Sequence, residues 1–124
     1  MYRKVKDIMT TPVITTTIDG NTGYIRELME RKQISAVPIV KLDKEKILLK
    51  GIVTTSDLRG TTDEKMPIDL IMSKQVESVH KDTTLKEAAQ KMLSKEMHHL
   101  VVMDQDKVVG IISSMDFVEI AARE

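Results

Sequence analysis

The chain has no cysteine and no tryptophan among its 124 residues. Without cysteine there is no disulfide framework, no thiolate nucleophile and no sulfur ligand for a metal. Its aromatics are Tyr2, Tyr24 and Phe117 alone, poor equipment for stacking on single-stranded nucleic acid. An excess of one charge is also missing. The 19 acidic and 19 basic residues balance, which leaves no broad electrostatic footprint for a phosphate backbone. No apolar run approaches the ~18 residues of a membrane span. The N-terminal string Met1-Tyr2-Arg3-Lys4-Val5-Lys6 lacks the apolar segment of a signal peptide. Neither a Walker-type phosphate loop nor a Gly-x-Gly-x-x-Gly string occurs. These absences point away from an enzyme, a membrane protein and a nucleic-acid binder, and toward a cytoplasmic protein.

What the chain does have is a repeat, and a repeat sets architecture before any local motif does. Ile34-Ser35-Ala36-Val37-Pro38-Ile39-Val40 returns as Met97-His98-His99-Leu100-Val101-Val102-Met103. Gly51-Ile52-Val53-Thr54-Thr55-Ser56-Asp57 returns as Gly110-Ile111-Ile112-Ser113-Ser114-Met115-Asp116. The register is constant from the Met9/Met72 pair to the Val40/Met103 pair. It then shortens by four residues, which places an insertion in the first half, expected as a polar loop over 41–46. Each half, at about 60 residues, would bury only roughly 60% of its unfolded surface, so the halves are expected to pack on each other.

The second half shows the element order most plainly. Val76 to Val79 is a short strand. Thr84 with Glu87 is a capping box, opening a helix with Leu85, Ala88, Ala89, Met92 and Leu93 at helical spacing. His99 to Met103 and Val108 to Ile112 are paired strands around the Asp104-Gln105-Asp106-Lys107 turn. Ser113 to Ala122 is a second helix. The first half repeats this, with Val13 to Thr17 and then a helix with Ile25, Leu28 and Met29 inward. The strands Ala36 to Val40 and Ile47 to Val53 follow, then a helix opening at Thr55 or Ser56 and cut short near Gly60. The first helix of this half starts poorly. Asn21-Thr22-Gly23-Tyr24 has no capping glutamate, and a helical Gly costs about 1 kcal/mol relative to Ala. Thr61 to Met66 is the linker between repeats.

Two strand-helix-strand-strand-helix units, each closed by Gly-apolar-apolar-Thr/Ser-x-x-Asp, resemble a tandem pair of cystathionine-β-synthase (CBS) domains, a Bateman module. The resemblance covers nearly the whole chain and rests on Ser-Ala-Val-Pro-Ile-Val combined with Gly-Ile-Val-Thr-Thr-Ser-Asp. It implies an α+β fold of two β-α-β-β-α repeats, 1–60 and 61–124, packed through their sheets with pseudo-two-fold symmetry. It also implies a non-catalytic, energy-sensing regulatory module that takes AMP, ADP, ATP or S-adenosylmethionine in clefts between the repeats. A homodimer and a regulated effector protein complete that picture, with no catalytic cofactor.

The closing motif has chemistry of its own. A hydroxyl and free N–H groups at a helix N-terminus suit a phosphate. A carboxylate one turn later can accept from two neighbouring ribose hydroxyls. The resemblance assigns these same roles, with ribose to Asp57 and Asp116 and phosphate to Thr54 and Ser113. By the same resemblance His98 and His99, at the entry to the second repeat's paired strands, are expected as phosphate contacts for the cleft carrying Asp57, with Lys74 as a further candidate. Ser35 and Ala36 hold the matching place in the first repeat and supply little. The Asp57 cleft is therefore expected to bind phosphates better. Ile14, Ile34, Ala36 and Ile52 would line its adenine end.

Each motif has a plainer reading. Thr-x-x-Asp and Ser-x-x-Asp also cap helices, and the two roles are compatible. His98 and His99 are also readable as a partly exposed structural pair. No metal site is expected: the only other histidine is His80, and adjacent strand residues face opposite ways, short of the three or four ligands zinc takes. The competing function is a protein-interaction scaffold with empty or degenerate clefts, favoured by the poor Gly23-Tyr24 helix start and the absence of a basic residue at Ser35 and Ala36.

Overall fold

A computed structural model describes residues 3–123. Its elements come in two matched sets. The first is α1 (Val5–Ile8), β1 (Thr16–Thr17), α2 (Thr22–Lys32), β2 (Ala36–Asp43), β3 (Lys46–Thr54) and α3 (Thr55–Arg59). The second is α4 (Ile68–Ile71), β4 (Ser78–His80), α5 (Leu85–Lys95), β5 (His99–Asp104), β6 (Lys107–Ser113) and α6 (Ser114–Arg123). The fold is mixed α+β, with two three-stranded sheets ordered β1-β2-β3 and β4-β5-β6. In each sheet the first pair is parallel and the second antiparallel.

The four-residue insertion is not a loop. It lengthens the β2–β3 hairpin, which carries the pairs Lys41↔Leu48, Leu42↔Ile47 and Asp43↔Lys46 out to a two-residue turn. The β5–β6 hairpin ends at Asp104↔Lys107. Adding residues in equal number to both strands preserves the face each side chain occupies, so the hairpin grows without disturbing the register below. Both turns place a non-glycine residue in the left-handed region, Lys44 at φ 58° and Gln105 at φ 56°.

The chain forms two compact units, and they differ from the sequence spans 1–60 and 61–124. One unit combines residues 3–13 with residues 77–123; the other is Ile14–Val76. The cause is the pair of short turns α1 and α4, which the sequence reading did not find. α1 leads the first repeat but packs in the unit that carries Asp116. Val5 is fully buried there among Val79, Ala88, Met92, Leu100, Val102 and Ile112, with Ile8 and Met9 against them. α4 leads the second repeat but packs in the unit that carries Asp57. Ile68 joins Ile25, Met29, Val37, Ile39, Val53 and Leu58, with Ile71 and Met72 alongside. A single four-residue turn with two or three apolar residues has too little periodicity to register as a helix.

The helix start that looked deficient is completed by the linker. Asn21 accepts the Tyr24 N–H at 2.9 Å. Thr22 N–H donates to Met66 O at 2.8 Å and Gly23 N–H to Glu64 O at 2.8 Å. The linker is held in turn by Arg26, which donates from Nε to Glu64 Oε1 at 3.0 Å and from Nη2 to Thr61 O at 3.0 Å. Long-range acceptors thus do the work of a local cap. Half of the capping box expected at Thr84 forms: Thr84 Oγ1 accepts the Glu87 N–H at 3.1 Å, while the Glu87 carboxylate accepts the Thr84 hydroxyl at 3.1 Å rather than a backbone N–H.

Candidate functional site

Each unit presents its closing motif where a hairpin runs into a helix. In the Asp57 unit, Ala36 pairs with Thr54 and Pro38 with Ile52. Strand alternation therefore puts Ala36, Ile52 and Thr54 on one face, opposite the face whose Val37, Ile39 and Val53 meet the helices. In the Asp116 unit, His99 pairs with Ser113, and Ser114 N–H donates to His98 O at 2.9 Å. Thr55 N–H donates to Ser35 O in the same way at 3.1 Å.

The glycine that opens each motif is there because another segment lies on it. A Cβ on Gly51 would sit 2.6 Å from Ser73 O and 2.8 Å from Met72 Sδ. On Gly110 it would sit 2.5 Å from Met9 Sδ and 3.1 Å from Thr10 O. The segments after α4 and α1 cross the hairpins there. Ile52 and Ser73 exchange backbone hydrogen bonds of 3.0 and 2.9 Å; Thr10 and Ile111 exchange bonds of 2.9 and 3.3 Å. The sequence signal for this contact was the pairing of Met9-Thr10 with Met72-Ser73, each repeating the other next to a short apolar turn.

The two acidic residues are anchored alike. Asp57 Oδ2 accepts Thr54 N–H at 2.8 Å, and Asp116 Oδ2 accepts Ser113 N–H at 2.7 Å. At Asp57 the capping box is complete. Thr54 Oγ1 donates to Asp57 Oδ2 at 3.2 Å and accepts Asp57 N–H at 3.4 Å. Among the described residues, Asp57 Oδ1 and Asp116 Oδ1 have no hydrogen-bond partner, and neither does the Ser113 hydroxyl. Both acids are half-buried. Each is therefore a carboxylate fixed by one oxygen and open at the other, so capping does not exhaust it.

The surroundings of the two acids differ. Asp116 shares a cavity of about 190 Å³ with Asp7, Ile8, Glu119, Ile120 and Arg123. Three carboxylates face one guanidinium there, which repels an anion and suits a cation. Asp7 is itself a cap. Its carboxylate accepts the Lys4 and Arg3 N–H groups at 2.9 and 3.1 Å, and these bonds hold it below the usual carboxylate range. In the Asp57 unit, a cavity of about 350 Å³ between α2 and α3 is lined by Arg26, Met29, Glu30, Ile34, Thr55, Leu58 and Arg59. Ile34 lies there, packed against the helix-covered core. Ile14 is half-buried ahead of β1, and Lys74 is exposed after α4.

Burial pushes the His99 imidazole below its ordinary value, with His98 adding to the effect and Asp116 opposing it. His99 is thus neutral near pH 7 and offers one N–H donor without charge. His98 is exposed. His80 ends β4, its Nδ1 accepting the Asp82 N–H at 3.1 Å. No three His, Asp or Glu side chains among the described residues gather closely enough to hold a metal ion. No helix among them is long and apolar enough to cross a membrane.

Comparison with known proteins gives one consistent result. The CBS domain family matches residues 5–61 and again residues 68–123. The CBS domain-containing protein YhcV of Bacillus subtilis is 32% identical over 117 residues, which covers 90% of this chain and 81% of that protein. Inosine-5'-monophosphate dehydrogenase of Methanocaldococcus jannaschii is 29% identical over 118 residues, and there the chain spans only 23% of the relative. The solved CBS domain pair of protein MJ0100, in complex with 5'-methylthioadenosine and S-adenosyl-L-methionine, superposes with a TM-score of 0.86. It has 28% identity, covering 99% of this chain and 98% of that one. CBS pairs are regulatory rather than catalytic modules. Matched over both repeats, the chain belongs to the CBS domain family and is a tandem pair of these domains.

Proposed function

We propose that the chain is a regulatory module that binds an adenosine compound through the free carboxylate oxygens of Asp57 and Asp116. One observation carries this reading: both repeats hold an aspartate by one oxygen at a helix start and leave the other open. Such an oxygen can accept from ribose hydroxyls. AMP, ADP or ATP is the expected ligand at Asp57, with Ala36 and Ile52 toward the base and Lys74, His98 and His99 toward the phosphates. Ile14 and Ile34 complete the base contacts in this reading. The carboxylates around Asp116 make that acid the weaker partner for a phosphate.

A second reading is favoured by the same acidic cavity and by a neutral His99. S-adenosylmethionine carries a sulfonium and an ammonium, which three carboxylates would attract, and MJ0100 binds this compound with methylthioadenosine. A module that takes a nucleotide at Asp57 and a cationic adenosine at Asp116 reconciles the two readings. In the cell it would act as a homodimer on an effector protein.

Calorimetric titration with AMP, ADP, ATP, methylthioadenosine and S-adenosylmethionine tests this. A hydrogen bond to a charged group contributes about 1.5–3 kcal/mol, so Asp57→Ala should weaken ATP about tenfold to a hundredfold. Asp116→Ala should do the same for S-adenosylmethionine and leave ATP within about threefold. No binding of any of the five at millimolar concentration would leave the scaffold reading. Equal losses from both variants for every ligand would refute the ranking of the two acids.

A further inference from the structure

The two hairpins differ in length, and the difference lies at a sheet edge. β3 ends the order β1-β2-β3, and β1 reaches β2 only at Ile39 and Val40. Among the described residues no strand lies outside β3, whose outer side is met by one isolated bridge, Ile52 to Ser73. Lys46 to Lys50 is thus an open edge. Five residues of β3 precede Gly51, whereas three residues of β6 precede Gly110. Cross-strand partners share a face. Leu42 opposite Ile47 and Val40 opposite Leu49 make one face of the long hairpin apolar; Lys41 opposite Leu48 and Asp43 opposite Lys46 make the other mostly basic. Leu42 is 64% exposed, Ile47 45% and Leu48 36%. Among the described residues the shorter hairpin exposes no large apolar side chain, so the repeat folds without them.

We infer that the open edge of β3 takes an extended segment of a partner protein in which acidic and apolar side chains alternate. That edge is then where the regulated effector attaches, a role that rests on the reading above. An added strand pairs the free backbone groups and sends its own side chains alternately to both faces. Its apolar residues would lie beside Ile47 and Leu49, and its acids beside Lys46 and Lys41. A surface laid on the apolar face alone would leave Leu48 and the lysines without a role. A bilayer would leave the edge's backbone groups unpaired in lipid. A second copy is a poor match, because β3 carries Lys46 and Lys50 and no acid, and like charges set side by side destabilise a strand pair. The edge already accepts backbone at Ile52, whose two bonds with Ser73 are 3.0 and 2.9 Å long. The added segment would continue a pairing that the fold begins there.

Fluorescence anisotropy of the full chain with a labelled peptide of alternating Glu and Val, about eight residues long to match one strand, tests the inference. Saturable binding is expected, with a Lys-Val peptide of equal length at least about tenfold weaker. Lys41→Glu combined with Lys46→Glu should reverse that preference; both side chains are exposed, so the fold should hold. Successive N–H groups of a strand point to opposite edges. Of two Glu-Val peptides, one N-methylated at every Glu and the other at every Val, one should therefore lose binding and the other keep it. Replacing residues 41–48 by Asp-Gln-Asp-Lys, the turn of the shorter hairpin, should abolish peptide binding while leaving the melting temperature and the adenosine-compound titrations near wild type. If that shortened chain fails to fold, the charge reversal decides. No saturable binding by wild type, equal binding of both methylated peptides, an unreversed preference, or undiminished binding by a folded shortened chain would overturn the strand-addition edge. Peptide binding without any adenosine-compound binding would support the edge and overturn only the ligand reading.

Discussion

Gly51→Ala and Gly110→Ala are the same substitution at equivalent positions, and the structure predicts unequal costs. At Gly51 the new methyl meets Ser73 O at 2.6 Å and Met72 Sδ at 2.8 Å. The oxygen is backbone and is committed to the Ile52–Ser73 pair of hydrogen bonds, so relief requires moving that segment. Overpacking of this kind costs about 1–3 kcal/mol. Loosening two backbone hydrogen bonds adds about 1 kcal/mol each at most, and stiffening the unfolded chain returns about 0.4–1 kcal/mol. The net expectation for Gly51→Ala is a loss of about 2–4 kcal/mol. At Gly110 the closest atom is Met9 Sδ at 2.5 Å, with Thr10 O at 3.1 Å. A thioether swings aside readily, so the expected loss there is about 1 kcal/mol. Urea unfolding of the full chain, followed by far-UV circular dichroism, reads both values. Met9→Ala should relieve Gly110→Ala, while Met72→Ala should leave most of the Gly51→Ala cost in place. A loss at Gly110 equal to or larger than that at Gly51, or a Gly51→Ala protein within about 0.5 kcal/mol of wild type, would refute the reasoning.

The C-caps of α2 and α5 are Gln33 and Glu96, both at φ 54°. Glycine carries no Cβ penalty in that conformation, so Gln33→Gly and Glu96→Gly should each raise stability by about 0.5–1 kcal/mol, seen as a higher urea midpoint. Since burial holds the folded-state pKa of His99 below 6.5, the unfolded chain binds its proton more tightly. The His99 contribution is therefore fully present above about pH 6.5 and is lost as pH falls through the folded-state value. His99→Gln should flatten the fall in urea midpoint between about pH 7.5 and about pH 5; an unchanged slope would place the titration elsewhere. Arg26→Ala frees the Thr61–Glu64 linker from α2 and should cost about 1–2 kcal/mol, with faster amide exchange at Thr22 and Gly23.

The main elements were legible because their signals are local. The spacing of Leu85, Ala88 and Met92 reports a helical face whatever surrounds it, and Thr84 with Glu87 reports its start. The left-handed Gln33 and Glu96 were not foreseen, because a non-glycine C-cap has no sequence mark. The insertion was located but given the wrong form: Lys41 to Lys46 is polar enough for a loop, and only cross-strand pairing makes it a hairpin. The deficiency at Gly23 was real locally and was answered from 41 residues away by Glu64 O, which no window on the helix contains.

The same division runs through the candidate site. Repetition and the Thr-x-x-Asp and Ser-x-x-Asp spacings determine by themselves that the chain is a doubled unit, with a capped acid at each strand-to-helix junction. Those are properties of neighbours in sequence, set by backbone geometry over three or four residues. Only the tertiary structure decided that α1 and α4 pack with the repeat they do not lead. It alone brought Asp7 beside Asp116 and Glu119, and it alone buried His99 enough to push the imidazole below its ordinary value. Each of these depends on which distant segment arrives at a surface, and desolvation and Coulomb energy depend on that arrival rather than on residue order.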